Sequence, residues 1–114
     1  MYDEAANLTY SKDGSYAYAA RNGKNWFIVV NGTEGPAFDR AIEPLFSPDC
    51  RYVVYRARKG GKRFVVVADA KDGRIIRQHQ SYEQVFQPVF TATGMAIGYG
   101  VKDGNKLFWK VEPL

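Results

Sequence analysis

The chain has 114 residues, of which 46% are hydrophobic and 15% aromatic, and its formal net charge is +4. This composition excludes an intrinsically disordered chain and is sufficient for one compact domain with a hydrophobic core. No apolar run exceeds five residues, which excludes a membrane-spanning helix, and the charge is far below that of typical nucleic-acid-binding domains.

The compartment stays unknown from the sequence. The residues after Met1 include Asp3 and Glu4 and form neither a basic nor an apolar stretch, so no signal peptide is visible. A processed chain would have lost its signal peptide, so a cytoplasmic and a periplasmic location both stay open. Cys50 is the single cysteine, and an internal disulfide is therefore excluded.

In chain order, the first recognisable element is a short strand that ends in an aromatic residue and a tight turn, and it occurs three times. The turns read Y-S-K-D-G at residues 10–14, F-S-P-D-C at residues 46–50 and F-T-A-T-G at residues 90–94. Pro, Asp and Gly favour such turns because they preset φ, bond the local backbone or accept a positive φ. The predicted repeats cover about residues 5–40, 41–84 and 85–114 of a single domain that spans residues 1–114.

Each segment continues with the same series of strands. In the second segment, a strand at residues 52–57 leads through a glycine hairpin to an apolar strand at residues 64–68, and a further strand follows at residues 74–79. The strand at residues 64–68 is apolar at successive positions, which indicates burial on both sides. The sequence therefore predicts an all-β fold of about three four-stranded antiparallel meanders, each with the roughly 40 residues of a propeller blade.

Aromatic residues recur at matching positions of the three segments. Because stacked repeats bury equivalent residues against their neighbours, we expect these side chains to form the core rather than a surface on which nucleic-acid bases stack. The matched sets are Tyr10, Phe46 and Phe90; Tyr18, Tyr55 and Tyr99; and Trp26, Phe64 and Phe108.

Two stretches carry a family resemblance. The string F-S-P-D-C-R-Y-V-V-Y at residues 46–55, followed by G-K-R-F-V-V-V at residues 61–67, resembles the repeat of TolB/tricorn-type β-propellers, a WD-like class with an S-P-D-G turn. The stretch W-F-I-V-V-N-G-T-E-G-P-A-F-D at residues 26–39 is similar to the E-G-x-x-aromatic-Asp stretch that closes each blade in one subgroup. The chain departs from the pattern at Cys50, where the repeat has Gly, and at residues 92–93, where Ala-Thr replaces Pro-Asp.

The resemblance covers nearly the whole chain and implies a propeller fold. Propellers of the TolB kind are usually interaction platforms, and those of the tricorn kind often gate or accompany a peptidase, so the resemblance implies a binding role. The resemblance implies no particular ligand, because one fold supports many functions.

Three blades are fewer than the four to eight of a closed propeller. Three blades alone would leave two apolar sheet faces and unpaired strand edges exposed. We therefore expect a homodimer that closes into a six-bladed ring, in which each N-terminus completes the last blade of its partner. The alternatives are a segment of a larger propeller protein and a monomer with an open stack of sheets.

Polar residues align at the start of each innermost strand, near the mouth of the expected channel. They are the predicted ligand-binding residues, and an ordinary polar lining of a solvated channel is the alternative. This channel-mouth set consists of Glu4, Asn7, Arg40, Glu43, Gln84 and Gln87.

Basic residues concentrate in the hairpins between the second and third strands, which share one rim of a propeller. Such a rim is predicted to hold an acidic protein surface, a phosphate-rich ligand or a polyanion. The alternative is that the hairpin tips are simply solvated. The hairpins and their flanks hold nine of the 16 Lys and Arg residues, among them Arg56 and Arg63. The basic-rim set drawn from them consists of Arg21, Lys24, Arg58, Lys59, Lys62, Lys102 and Lys106.

No nucleophile–base pair, phosphate loop or cluster of metal ligands is visible, so we predict no catalytic residue, metal or cofactor. His79, which we expect at an exposed strand end, and Cys50 are interpreted as structural. The sequence favours a non-enzymatic binding or scaffold module with a homodimeric state and an acidic protein partner, and with no membrane or nucleic-acid partner. The alternatives are a segment of a TolB-like or peptidase-associated propeller, and an enzyme whose channel-mouth site, including Glu4 and Glu43, forms only on assembly.

Overall fold

The computed structural model describes residues 2–114, and within this range the chain forms twelve β-strands in three four-stranded sheets. All strand pairs are antiparallel. The prediction of an all-β fold with three four-stranded antiparallel sheets is confirmed. The same range contains no helix with the length and hydropathy needed to span a membrane.

The first two sheets are meanders in which consecutive strands are neighbours. The first sheet consists of β1 (Glu4–Tyr10), β2 (Tyr16–Asn22), β3 (Asn25–Val30) and β4 (Thr33–Glu34). The second sheet consists of β5 (Arg40–Phe46), β6 (Tyr52–Lys59), β7 (Lys62–Asp69) and β8 (Ile75–Gln78).

The third sheet differs because its first strand is divided in two. It consists of β9 (Gln84–Val85), β10 (Val89–Phe90), β11 (Ala96–Asp103) and β12 (Lys106–Pro113). Both β9 and β10 pair with β11, on the edge opposite β12. Among residues 2–114, no strand pairs with the outer edge of β12, and this edge is open.

The division of the third sheet's first strand has a counterpart in each of the other sheets. The β1–β2 ladder is interrupted around Asn7 and the β5–β6 ladder around Glu43, where β1 and β5 each carry one extra residue. Asn7 and Glu43 have φ of 60° and 55°, a left-handed conformation that Asn adopts more readily than most residues. Gln87 lies in the corresponding gap between β9 and β10.

The second sheet lies between the other two and is buried on both faces. Tyr55 of β6 packs with Ile28 of the first sheet in one core, and Val54 packs with Tyr99 of the third sheet in the other core. Consecutive residues of β6 enter different cores because successive side chains of a strand point to opposite faces. The predicted burial of residues 64–68 on both sides is confirmed.

The register of the hairpins corrects one aromatic match. Phe27, Phe64 and Phe108 occupy the same position in the ladders β2–β3, β6–β7 and β11–β12. Trp26 is one residue out of this register and lies in the first core, on the opposite face of its sheet from Phe27. The prediction that Trp26 matches Phe64 and Phe108 is therefore wrong, because residue type alone does not decide between two adjacent aromatic residues.

Burial of the matched aromatic residues depends on the sheet and the strand that carry them. Tyr55 and Tyr99 are fully buried, whereas Tyr10 is 67% exposed and Phe108, on the edge strand β12, is 39% exposed. Tyr10 lies on the outer face of the first sheet, on which no further sheet packs within the described residues. The expectation that Tyr10 belongs to the core is therefore wrong for this chain by itself.

The three tight turns share one geometry. In each turn a main-chain N–H donates to the carbonyl oxygen three residues earlier: Gly14 to Ser11 at 3.2 Å, Cys50 to Ser47 at 2.9 Å and Gly94 to Thr91 at 2.8 Å. Cys50 has φ of 63°, so it adopts the left-handed conformation that glycine provides in the other two turns. This conformation costs an ordinary L-residue about 1 kcal/mol, and the second turn is strained without being reshaped.

Candidate functional site

Three arginines form a row across the second sheet. Arg40 pairs with Arg58 between β5 and β6, and Arg58 pairs with Arg63 between β6 and β7. Arg56 lies two residues from Arg58 along β6 and therefore on the same face. Because like charges opposite each other destabilise a sheet, this row lowers the stability of the second sheet.

The four arginines line one cavity of about 230 Å³ at the junction of the second and third sheets, which we call the arginine cavity. Its remaining walls are formed by Ile42, Ala57, Gln84 and Val85. Gln84 and Val85 belong to β9, so the third sheet closes the cavity opposite the arginine row. Nη1 of Arg56 donates across this junction to the carbonyl oxygen of Val85 at 3.4 Å.

Neighbouring groups fix the arginine side chains in place. Cζ of Arg40 lies 5.1 Å from the ring centre of Trp26, within the range of a cation–π interaction. Nη1 of Arg63 donates to the carbonyl oxygen of Glu83 at 2.8 Å. These contacts hold two guanidinium groups without neutralising their charge.

The arginine cavity has an excess of positive charge. Among residues 2–114, Glu43 is the one carboxylate that forms an ion pair with the cavity, through Nη2 of Arg56. Arg58 forms no ion pair within this range. Nε of Arg56 is buried and has no hydrogen-bond partner in the described part of the chain. The cavity therefore offers guanidinium donors that a carboxylate or phosphate ligand would satisfy.

The structure brings part of the channel-mouth set together. Arg40 and Gln84 line the arginine cavity, and Glu43 binds Arg56 beside it. Asn7 Oδ1 accepts a hydrogen bond from the main-chain N–H of Glu43 at 3.3 Å. The other two members lie apart: Glu4 is 3.3 Å from Nε of Arg21, and Gln87 is exposed in the gap between β9 and β10.

The basic-rim set divides into paired, clustered and solvated residues. Nη1 of Arg21 lies 3.9 Å from Asp3, and Nζ of Lys102 lies 3.8 Å from Glu83. Arg58 belongs to the arginine cavity. The remaining four are exposed at the hairpins and form no ion pair within the described range: Lys24, Lys59, Lys62 and Lys106.

Arg56 and Arg63, which the sequence places among the basic residues that flank the hairpins, also line the arginine cavity. Their signal in the sequence is the spacing around one hairpin: Arg56 and Arg58 are two residues apart, and Arg63 faces Arg58 across the turn. Alternation along a strand places such residues on one face. The sequence sets instead separate the channel mouth from the rim, whereas the cavity combines residues of both.

His79 is the clearest correction among the polar residues. The sequence predicts an exposed strand end, but His79 is buried, and its Nδ1 lies 3.7 Å from Oε2 of Glu112. Burial lowers the pKa of His79; the carboxylate of Glu112 acts in the opposite direction, and the positive charge of Arg77 also lowers it. Its Nε2 and the buried hydroxyl of Tyr99 have no hydrogen-bond partner among residues 2–114.

The carboxylates and the thiol do not form a common site in the described part of the chain. Glu4 and Glu43, the carboxylates of the enzymatic alternative, each form an ion pair with an arginine. Cys50 is free and partly exposed in its turn. Within the described range, no three His, Cys, Asp or Glu side chains converge as the ligands of a metal ion would.

Comparison of the chain with protein-family models gives no match, and comparison with curated proteins gives no significant match either. The resemblance to TolB/tricorn-type repeats therefore stays a prediction from the residues that carry it.

Proposed function

We propose that the chain is a non-enzymatic binding module, built from propeller-type blades, that binds an acidic segment of a partner protein at the arginine cavity. The observation that carries this proposal is the row of Arg40, Arg58 and Arg63, with Arg56 beside it and Glu43 as its one paired carboxylate. A sheet bears the repulsion within such a row more easily when an anion binds to it.

A carboxylate suits this cavity, as does a phosphate group, because both anions present paired oxygen atoms. Guanidinium groups bind carboxylates through two parallel hydrogen bonds, and Arg58 forms no ion pair in the described chain. Single-stranded nucleic acid would instead require exposed aromatic rings for stacking, and Trp26, the ring next to Arg40, is buried. An acidic peptide is therefore the favoured ligand.

The propeller part of the proposal is supported by the arrangement of the sheets. The sheets pack face to face in chain order, with the second between the first and the third. Their first strands bulge or divide at one register position, around Asn7, Glu43 and Gln87. Successive four-stranded antiparallel sheets of this kind resemble the blades of a propeller, and propellers commonly serve as binding platforms, which supports the proposal.

The test is a calorimetric titration of the chain with a hexaglutamate peptide at low and at physiological salt. We expect binding that weakens with salt, and an affinity at least about tenfold lower in Arg58→Gln. Arg58→Gln removes a repulsive charge from the row, so it is not expected to unfold the protein. Inorganic phosphate and a hexathymidylate oligonucleotide serve as competing probes.

The matched control is Arg21→Gln. Arg21 occupies the same register position in the first sheet as Arg58 in the second, but it is already paired with Asp3 and Glu4. The control should bind hexaglutamate within about twofold of the natural chain. Absence of hexaglutamate binding, an equal loss in both variants, or tighter binding of the oligonucleotide would refute the proposal.

A further inference from the structure

The outer face of the first sheet is apolar, and nothing in residues 2–114 packs on it. Leu8 and Tyr10 are 57% and 67% exposed. The ring centre of Tyr2 lies 6.3 Å from that of Tyr18 and 6.4 Å from that of Phe27. We call this surface the first-sheet face, and its residues are Tyr2, Leu8, Tyr10, Tyr16, Tyr18 and Phe27.

The outer face of the third sheet is also apolar. Leu107 and Trp109 of β12 are 71% and 59% exposed. The Trp109 ring lies against Gly98 of β11, where an added Cβ would be 2.4 Å from the ring. Glycine at this position therefore lets the indole lie flat on the sheet. We call this surface the third-sheet face, and its residues are Phe86, Val89, Leu107, Trp109 and Val111.

The strand register shows whether each outer face corresponds to a surface that packs on the preceding sheet or on the following sheet. Tyr18, Tyr55 and Tyr99 occupy the same position in the second strands of the three sheets. Tyr55 packs towards the first sheet and Tyr99 towards the second, so each is buried against the preceding sheet. The first-sheet face, which contains Tyr18, is therefore the counterpart of surfaces that contact a preceding sheet.

The third-sheet face corresponds instead to surfaces that contact a following sheet. Ala17, Val54 and Gly98 share a register position, and Ala17 and Val54 are each buried against the following sheet. Gly98 lies under Trp109 on the third-sheet face. The chain thus carries both halves of one type of junction, one on each outer face.

The main chain repeats the same pattern. Phe38, which precedes β5, forms two main-chain hydrogen bonds of 2.9 and 2.8 Å with Trp26 of the first sheet, and Tyr82 forms two of 3.1 and 2.8 Å with Arg63 of the second. By register, Tyr2 is the counterpart of Phe38, and Leu107 that of Trp26. The alternation of an antiparallel ladder therefore directs the N–H and C=O of Leu107 away from β11, to the open edge of β12.

We propose that the first-sheet face binds the third-sheet face of a second copy of this chain. Two such copies form two identical junctions related by a two-fold axis, and six sheets then close into a ring. At each junction, Tyr2 pairs through its main chain with Leu107 of the partner subunit, as Phe38 pairs with Trp26 within one chain.

A second copy is the occupant because the new junction continues interfaces that already exist within the chain. The first-sheet face is the kind of surface that packs on a preceding sheet, and the third-sheet face is the kind that packs on a following sheet. The two faces are therefore complementary, and association of two copies buries both apolar faces. Six sheets also fall within the four to eight blades that close a propeller, whereas three do not. This inference is independent of the arginine cavity, which lies between the second and third sheets of one chain.

The test is the absolute mass of the chain by light scattering on a sizing column, over a wide concentration range. We expect twice 12.9 kDa for the natural chain. Leu107→Lys and Tyr10→Lys each place a charge on one face, and each should raise the dissociation constant at least about tenfold. Met95→Lys is the matched control, because Met95 is 75% exposed in a turn outside both faces.

The two variants also test which faces meet. Mixing Leu107→Lys with Tyr10→Lys leaves one junction intact in a mixed dimer, so the mixture should associate more strongly than either variant alone. The proposal would be overturned if the unsubstituted chain is a monomer or forms open polymers. It would also be overturned if either lysine substitution leaves the dissociation constant of the dimer unchanged. Thermal melts of each variant verify that it folds, and a variant that does not fold is replaced by Val111→Lys or Leu8→Lys.

Discussion

The main-chain N–H of Glu43 donates a 3.3 Å hydrogen bond to Oδ1 of Asn7, so the bulge of β1 is bonded to the bulge of β5. Asn7→Ala removes this bond and places alanine at φ of 60°. We expect it to lower the free energy of unfolding by about 2 kcal/mol, half from the bond and half from the backbone. Asn7→Gly removes only the bond and should cost about 1 kcal/mol in urea denaturation. Equal losses in both variants would contradict this division.

Cys50 occupies a left-handed position that glycine fills in the other two turns. Cys50→Gly should therefore raise the free energy of unfolding by about 1 kcal/mol. The matched comparison is Gly14→Ala, whose new Cβ meets nothing within 4 Å, so that backbone strain is its main effect. It should lower the free energy of unfolding by a similar or larger amount. A destabilised Cys50→Gly would show that the thiol makes contacts worth more than the strain.

Glu43 is the carboxylate that neutralises Arg56 beside the arginine cavity. Glu43→Gln keeps the size of the side chain and removes its charge, so the cavity becomes more positive. We expect hexaglutamate to bind two- to fivefold more tightly, a gain of about 0.5–1 kcal/mol. The measurement is the calorimetric titration described above, and weaker binding by Glu43→Gln would place the ligand away from the cavity.

His79 makes the stability of the fold depend on pH. Burial holds its pKa below the ordinary value of 6.5, so near that pH the unfolded chain binds more protons than the folded chain. This contribution to stability is complete above pH 6.5 and is lost as the pH falls through the lowered pKa of the folded state. We therefore expect the free energy of unfolding to fall between pH 7.5 and pH 5.5.

The control for His79 is His79→Leu, which is apolar and does not titrate. Its free energy of unfolding should change less over the same range, measured by urea denaturation at several pH values. Asp13 and Asp49 have pKa values lowered by hydrogen bonds from Ser11 and Ser47, so their contribution is lost only in more acidic solution. Parallel pH profiles for the natural chain and His79→Leu would exclude His79 as the responsible group.

Local patterns in the sequence were sufficient to predict the strands and the turns. The turn at residues 10–14 and its two counterparts carry residues whose backbone preferences act over four or five positions, and the runs of apolar residues report burial directly. The sequence alone does not show which residues of different sheets occupy equivalent positions, because this depends on the register of strand pairing. Trp26 and Phe27 are both aromatic, and only the pairing of β2 with β3 reveals that Phe27 matches Phe64.

The candidate site could be predicted in part for the same reason. The sequence predicts that Arg40 and Gln84 bind a ligand and that Arg58 lies on a basic rim, but only packing between the second and third sheets places all three around one cavity. The sequence does not reveal the burial of His79, because its polar neighbours Gln78 and Gln80 indicate exposure, whereas β12 approaches from the third sheet through Glu112. Contacts between segments that are distant in the sequence determine both the assembly of the arginine cavity and the burial of His79.

Burial of the second sheet on both faces determines how the chain exchanges its amide hydrogens with solvent. Val53, Val54 and residues 65–67 are fully enclosed, so their amides open only when the flanking sheets separate or the whole chain unfolds. The amides of β12, on an open edge, need only local fraying. We expect exchange of deuterium for hydrogen to be slowest in β6 and β7, so that the middle of the chain reports the global free energy of unfolding.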